Sequence, residues 1–288
     1  MPKNPELTPI TETKNRFAGK IKRLSAAVLF TFFAGTFMHS AEEAQDIIVL
    51  PAANNQIYFN QDTPTIATSN VHGWRDESGK PNINKVMRTI EHVDADITCL
   101  QEVYAGNELN KLSELGYNII FAATKYDFYR GQFGNVVMSK YSLKPVEVIS
   151  LPSDSEGIPR NAMIQQLRTK NGNYTFLNTH LSYDDQARVR QENAIIHASE
   201  KLKTNINSLC GDFNQTRTEL ASSRFGKQFG INGAIMSTPN TYPSTEPGLA
   251  IDFILDNCEV RRPDIEYETF KVGSDHMMLA RTYNSACS

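Results

Sequence analysis

The sequence predicts an α+β fold, and three observations carry that expectation. Short apolar runs follow one another closely between residues 118 and 178, with turn residues such as Asn171-Gly172-Asn173 between them, the pattern of an antiparallel sheet. Two longer segments repeat apolar residues at helical spacing: Ile83, Val86, Met87 and Ile90 in the first, Ala187, Ala194, Ile195, Ala198 and Leu202 in the second. Finally, one strand after another stops at an Asn, Asp, Glu or His. Strands packed in a sandwich converge at their ends, so these polar groups would gather at one cleft.

The 288 residues can bury a large core and allow one domain or two. Residues 1–23 are polar. Leu24–Met38 is an apolar run preceded by Lys20, Lys22 and Arg23 and followed by His39-Ser40-Ala41, and it is shorter than the roughly 20 residues of a membrane span. A basic flank, a short apolar segment and small residues describe a signal peptide; an uncleaved anchor or a buried helix are the other readings, and the polar lead-in Met1–Gly19 is long for a signal. The expected organisation is a signal peptide or membrane anchor over 1–40, an irregular lead-in rich in Asn, Gln and Pro over 41–64, and one domain over 65–288. No internal repeat is visible. The protein is expected outside the cytoplasm, secreted or periplasmic, or else tethered through residues 24–38.

Along the domain, Thr65–Ser69 reads as a strand ending at Asn70, Pro81 and Asn82 open a helix, and Ile97–Leu100 is a strand closed by Gln101-Glu102. A helix near Asn107–Leu115 stops at Gly116. Strands follow at about 118–122, 135–139, 146–151, 162–169 and 174–178, the last leading into Thr179-His180. A helix over Asp184–Lys203, a strand Ile206–Leu209 ending in Gly211-Asp212-Phe213-Asn214, a helix near Thr218–Phe225, and strands at 250–255 and 277–282 complete the chain.

Residues 1–40 hold six of the 29 Lys/Arg and two of the 32 Asp/Glu, so residues 41–288 carry a net charge of −7. That acidity argues against a long, sequence-independent grip on nucleic acid, whose affinity comes from neutralised phosphates. The four cysteines lack metal-ligand spacing. Cys99 and Cys210 lie inside apolar strands and read as small buried thiols, whereas Cys258 and Cys287 could pair in an exported protein.

Each strand-end residue has an ordinary explanation. Asn70 is a turn former, Glu102 a solvated terminus, His180 a satisfied half-buried histidine, Asp275 a cap, and Gly-Asp-Phe-Asn an Asx-rich turn. Together they imply more: Asn70, Glu102, His180, Asp212, Asn214, Asp252, Asp275 and His276 would ring one cleft. Oxygen ligands without clustered Cys or His suit a hard ion, magnesium first and manganese second, and such ions usually hold phosphate oxygens.

The motifs Ser69-Asn70, Leu100-Gln101-Glu102, Arg130-Gly131-Gln132-Phe133-Gly134-Asn135, Thr179-His180-Leu181, Gly211-Asp212-Phe213-Asn214, Ile251-Asp252-Phe253-Ile254 and Ser274-Asp275-His276 occur in this order over about residues 65–283. The ordered series resembles the endonuclease/exonuclease/phosphatase superfamily. The resemblance implies two packed, mainly antiparallel β-sheets flanked by helices, a four-layer α/β sandwich like that of deoxyribonuclease I. It implies a monomeric Mg²⁺-dependent phosphoric ester hydrolase acting on nucleic acid or on a phospholipid headgroup. Glu102 and Asn70 would bind the metal, with Asp275 joining them; Asp252 would orient His276; Asp212 would orient or deprotonate water; Asn214 and His180 would contact phosphate. Arg160 resembles a basic position of some members and with Arg130 would clamp phosphate, though both also read as surface arginines. Trp74 reads either as a platform for a base or headgroup or as packing. A catalytically silent, partner-binding member is the competing reading, and it predicts the loss of metal or histidine positions that this chain retains.

Overall fold

The computed structural model describes residues 46–52, 59, 63–230, 232–256 and 265–283. Leu24–Met38, Cys258 and Cys287 lie outside the described residues, so the expectations attached to them are not addressed by it.

Among the described residues twelve strands form two sheets. The larger contains β1 (Ile47–Leu50), β2 (Ile66–Asn70), β3 (Ile97–Tyr104), β4 (Asn118–Asp127), β5 (Gly131–Ser139), β11 (Ile265–Lys271) and β12 (Met277–Tyr283), in the order β1-β4-β5-β3-β2-β12-β11. The smaller contains β6 (Leu143–Leu151), β7 (Arg160–Thr169), β8 (Gly172–His180), β9 (Ser208–Asp212) and β10 (Asp252–Asp256), in the order β10-β9-β8-β7-β6. All neighbours run antiparallel except β2–β3 and β8–β9. A parallel pair needs a crossover, and each has a helix for it: α1 (Ile83–Val93) between β2 and β3, α3 (Asp185–Leu202) between β8 and β9.

The burial pattern sorts the molecule into four layers. Val86 and Ile90 of α1 and Leu109 and Leu112 of α2 (Asn107–Glu114) pack on Leu100, Val136 and Met278 of the larger sheet. Ile195 of α3, Leu220 of α4 (Arg217–Ser222), Phe225 of α5 (Arg224–Phe229) and Ile235 of α6 (Asn232–Ser237) pack on Ile164, Leu177 and Leu209 of the smaller. Between the sheets lie Ile66, Ile97, Val137, Met163, Phe176 and Ile254. This is the two-sheet sandwich with outer helices that the sequence leads one to expect.

Four local features differ from expectation. Ile47–Leu50, read as irregular, pairs with β4 at the sheet edge, and β11 pairs with β12. Both are edge strands with half-exposed patterns, which weakens their apolar signal. The helix near 218–225 is two short helices broken at Ser223, whose hydroxyl accepts from Gly226 N–H and starts the second. Cys99 and Cys210, read as free thiols, are joined in a disulfide that crosses the inter-sheet core from β3 to β9.

Beside that disulfide runs a layer of buried amides. Gln101 Nε2 donates to Asn178 Oδ1 (2.8 Å), Asn178 Nδ2 to the Val136 carbonyl (2.8 Å), and Asn135 Nδ2 to Asn161 Oδ1 (2.8 Å). Amides joined this way across two sheets fix their relative register, since a slip would strand buried polar groups.

Candidate active site

The site forms where β2, β3, β8 and β9 end side by side and β10 and β12 begin. Parallel pairing sets Asn70 beside Gln101 in one sheet and His180 beside Asp212 in the other. Antiparallel pairing then sets Asp252 opposite Asp212.

In the larger sheet, β3 bulges between Leu100 and Val103, and Glu102 sits in that bulge with φ 57°. Left-handed backbone is costly for a residue with a β-carbon, and such outliers gather at functional sites, where a bulge re-aims a side chain. Here the half-buried Glu102 carboxylate turns towards Asn70, whose Nδ2 donates to Glu102 Oε1 and to Asp212 Oδ2, both at 3.1 Å. Asn70 thus ties the two sheets together. Its Oδ1 accepts from the His72 N–H (2.9 Å), which fixes the amide with its nitrogen towards the carboxylates. The expected oxygen ligand therefore acts here as a hydrogen-bond donor.

In the smaller sheet, Gly211 permits the parallel pairing: a β-carbon there would lie 2.0 Å from the Thr179 carbonyl oxygen. The strand then ends at the buried Asp212. Its Oδ1 accepts from the Asn214 N–H (3.0 Å), and its Oδ2 faces Asn70, His180 Nε2 (3.4 Å) and His276 Nε2 (3.8 Å). Asn214, in the left-handed region an asparagine tolerates, donates through Nδ2 to the Leu181 carbonyl (2.9 Å) and lies 3.1 Å from His180 Nε2.

Electrostatics divide the two histidines. Burial, then the Arg160 charge, then His276 hold His180 well below the ordinary histidine range, so it is neutral. For His276 burial also pulls downward, but the charges of Asp252 and Asp212 outweigh it and keep the ring protonated at neutral pH. Asp252 Oδ2 lies 2.9 Å from His276 Nδ1. Asp212 is raised, chiefly by burial and further by the Asp252 charge, against the downward pull of His276.

Arg160 is 8% exposed, and its Nη1 donates to His180 Nδ1 (2.7 Å). Among the described residues its Nε is buried without a hydrogen-bond partner, and no ion pair of its guanidinium with a carboxylate is present. A guanidinium in that state is a ready anion site. Arg130 differs: it stacks on the Tyr104 ring, 3.6 Å to the centroid, and donates to the Gly73 carbonyl, so its fork is already committed. Trp74 is buried and donates to the Tyr104 carbonyl (2.9 Å), so it packs and offers no platform. Asp275 stands at the rim, accepting from Ser274 Oγ (3.0 Å) and paired with His72 Nδ1 (2.8 Å). His180, read as half-buried, is fully enclosed.

Sequence reasoning passed over Tyr242, whose ring lies 4.9 Å from that of His276 and walls one side of the site. It comes from the irregular segment after α6, where no periodic pattern marks it.

Two sets of groups could hold a cation. Ligand atoms of Asp212, Asp252 and His276 lie within 4.8 Å of one another, and Asp252 Oδ1 is buried without a partner. A histidine must be neutral to bind metal, however, and these carboxylates keep His276 charged. Glu102, bonded to Asn70, and Asp275, held at the rim against His72 and Ser274, offer carboxylate oxygens, the donor type that suits a hard divalent ion.

A model of the Endonuclease/Exonuclease/phosphatase family matches residues 58–276. No curated protein sequence matches the chain at a significant level. Among solved structures, an endonuclease/exonuclease/phosphatase family protein from Leptotrichia buccalis is 16% identical with a TM-score of 0.61, over 77% of this chain and 100% of that one. The human Nocturnin catalytic domain with bound sulfate is 18% identical, TM-score 0.56, over 86% and 100%. The mannosyl-6-phosphatase of Bacteroides thetaiotaomicron is 20% identical, TM-score 0.55, over 76% and 99%. At such identities the likeness establishes the fold.

Proposed function

The chain belongs to the endonuclease/exonuclease/phosphatase family, and from that premise we propose that it hydrolyses a phosphate ester with the help of a divalent cation, magnesium or manganese. The observation that carries this reading is the bridge Asn70 makes across the cleft, from Glu102 in one sheet to Asp212 in the other, where Asp212 lies beside the buried His276–Asp252 pair.

Glu102 and Asp275 would hold the ion, which when bound offsets charge on the phosphoryl oxygens. Arg160 clamps the phosphate through its unpaired Nε and the far side of its fork. His276, protonated, and His180, neutral with a ring N–H, stabilise the charge that builds on non-bridging oxygens. Asp212 orients water and takes its proton as the water oxygen bonds to phosphorus and the P–O ester bond breaks, the departing oxygen taking a proton from solvent; the raised proton affinity of this carboxylate suits a base near neutral pH. Asn70 and Asn214 hold Asp212 in place through its two oxygens, and Asp252 holds the His276 ring. Tyr242, against that ring, borders the space for the leaving group.

Export, by secretion or by tethering through Leu24–Met38, is part of the proposal. The apolar run and the Cys99–Cys210 disulfide both support it, since disulfides persist in oxidising compartments. The test is magnesium-dependent hydrolysis of plasmid DNA, a phosphoinositide, sphingomyelin and a generic phosphodiester, beside His276→Ala and Glu102→Ala. Activity on at least one substrate that both variants lose is expected; wild type no better than the variants on every substrate would leave the catalytically silent, partner-binding reading.

A further inference from the structure

The hairpin joining β4 to β5 carries three large aromatic side chains into solvent: Tyr126 is 72% exposed, Phe128 84% and Tyr129 92%. Soluble surfaces scatter single apolar residues, but three on one turn, with Phe128 and Tyr129 edge to face at 5.3 Å, form a patch. The turn is built firmly, Asp127 Oδ1 accepting from the N–H groups of Tyr129 (2.8 Å) and Arg130 (2.9 Å).

Its position gives the patch meaning. β4 runs parallel to β2 and β3 within the sheet, so its end lies at the edge that bears Asn70 and Glu102. The Glu102 bulge sits against Gly134, and the hairpin continues three residues beyond, to Gly131, about 10 Å at strand spacing. The aromatic tip therefore projects past the site on the side where the cleft opens.

We propose that this tip docks on a phospholipid surface and that the cleft then faces lipid headgroups. Two observations choose a bilayer over nucleic acid. The cations beside the aromatics are already engaged, Lys125 over the Phe133 ring and Arg130 on Tyr104 and Gly73, whereas a nucleic-acid track needs free cations interleaved with aromatics. Tyrosines with a phenylalanine instead suit the boundary between headgroups and acyl chains. The chain also enters the described fold at the foot of this hairpin, where Asp46 Oδ2 accepts from Gln132 Nε2 (2.5 Å). Only residues 39–45 separate Asp46 from the apolar run Leu24–Met38, a reach of about 25 Å when extended. A lipid phosphate ester as substrate rests on the function proposed above; the docking does not.

The test uses the full chain carrying Tyr129→Trp, whose emission is read against the buried Trp74. Vesicles of phosphatidylcholine and phosphatidylglycerol should shift that emission to the blue, and brominated acyl chains should quench it. Unchanged emission while the protein sediments with the vesicles would overturn the proposal, as would quenching by a single-stranded oligonucleotide and not by vesicles. A second variant, Tyr126→Ser with Phe128→Ser and Tyr129→Ser, should cleave a soluble phosphodiester like wild type and a vesicle-borne phospholipid about tenfold more slowly. An equal loss on both substrates would contradict docking. A wild type inactive on every substrate would remove the catalytic reading, with the fluorescence still deciding the docking.

Discussion

Oδ2 of Asp252 lies 2.9 Å from Nδ1 of His276, both side chains are buried, and the other carboxylate oxygen has no partner. The Asp252 charge therefore fixes the orientation of the ring and, together with that of Asp212, keeps its proton.

Asp252→Asn keeps the shape and removes that charge. kcat should fall by about 100-fold, with KM changed less than about threefold, because the loss is felt mainly where phosphate charge develops. The His276 pKa, raised in the wild type, should drop, moving the alkaline limb of the pH–rate profile to lower pH. The sign for stability follows. A raised histidine contributes fully below its unfolded value, about 6.5, and loses that contribution as pH rises through the folded value, so the wild type should lose stability across that window and Asp252→Asn should lose less. Urea midpoints against pH for both proteins check this.

Asp212→Asn separates activity from stability. Hydrolysis should become undetectable, since the proton acceptor is gone. Burial raises the carboxyl, so in the wild type its contribution to stability is present below about pH 4 and lost as pH rises through its folded value. The variant should therefore melt about 2–4 °C higher than wild type at pH 8 in the presence of a chelator, measured by calorimetry. A lower melting point would contradict the assignment of Asp212 as a buried, strained carboxylate.

Arg160→Lys retains a charge but not the fork. Competitive inhibition by inorganic phosphate should weaken about tenfold and KM should rise by a similar factor, with Arg160→Ala more severe in both. Inhibition constants for the three proteins give the comparison.

Cys99→Ala with Cys210→Ala removes a link across 111 residues of chain. The loss should be about 2–4 kcal/mol in urea unfolding at an altered m-value, since the cross-link constrains the unfolded chain. Both sulfurs are buried, so reductant should leave the folded wild type unchanged and act only through unfolding. A thiol count on native and denatured protein reads this directly.

Much of this was legible because strand ends are written in the sequence. A run such as Ile206–Leu209 followed by Gly-Asp-Phe-Asn states both a strand and the polar group it delivers, and the Asp184–Lys203 helix differs from α3 by one residue at each end. What was hidden depends on partners distant in the chain. The Cys99–Cys210 bond needs two sheets to be stacked before the sulfurs meet. The Asn70 amide takes its orientation from the His72 backbone, which no pattern reveals. Arg130 and Trp74 stand beside recognisable motifs yet serve packing, while Tyr242 gains its place against His276 only through tertiary structure.

The helical crossovers α1 and α3 make the same β–α–β unit occur once in each sheet, although no repeat is visible in the sequence. One unit ends in Asn70 and Glu102, the other in His180 and Asp212, so the cleft is the seam where two like halves present their carboxyl ends. Each half contributes to the chemistry through the carboxyl-end residues of its own two paired strands. Divergence among proteins of this architecture can then proceed by rewriting those strand ends, one half at a time, while the scaffold beneath them stays as it was.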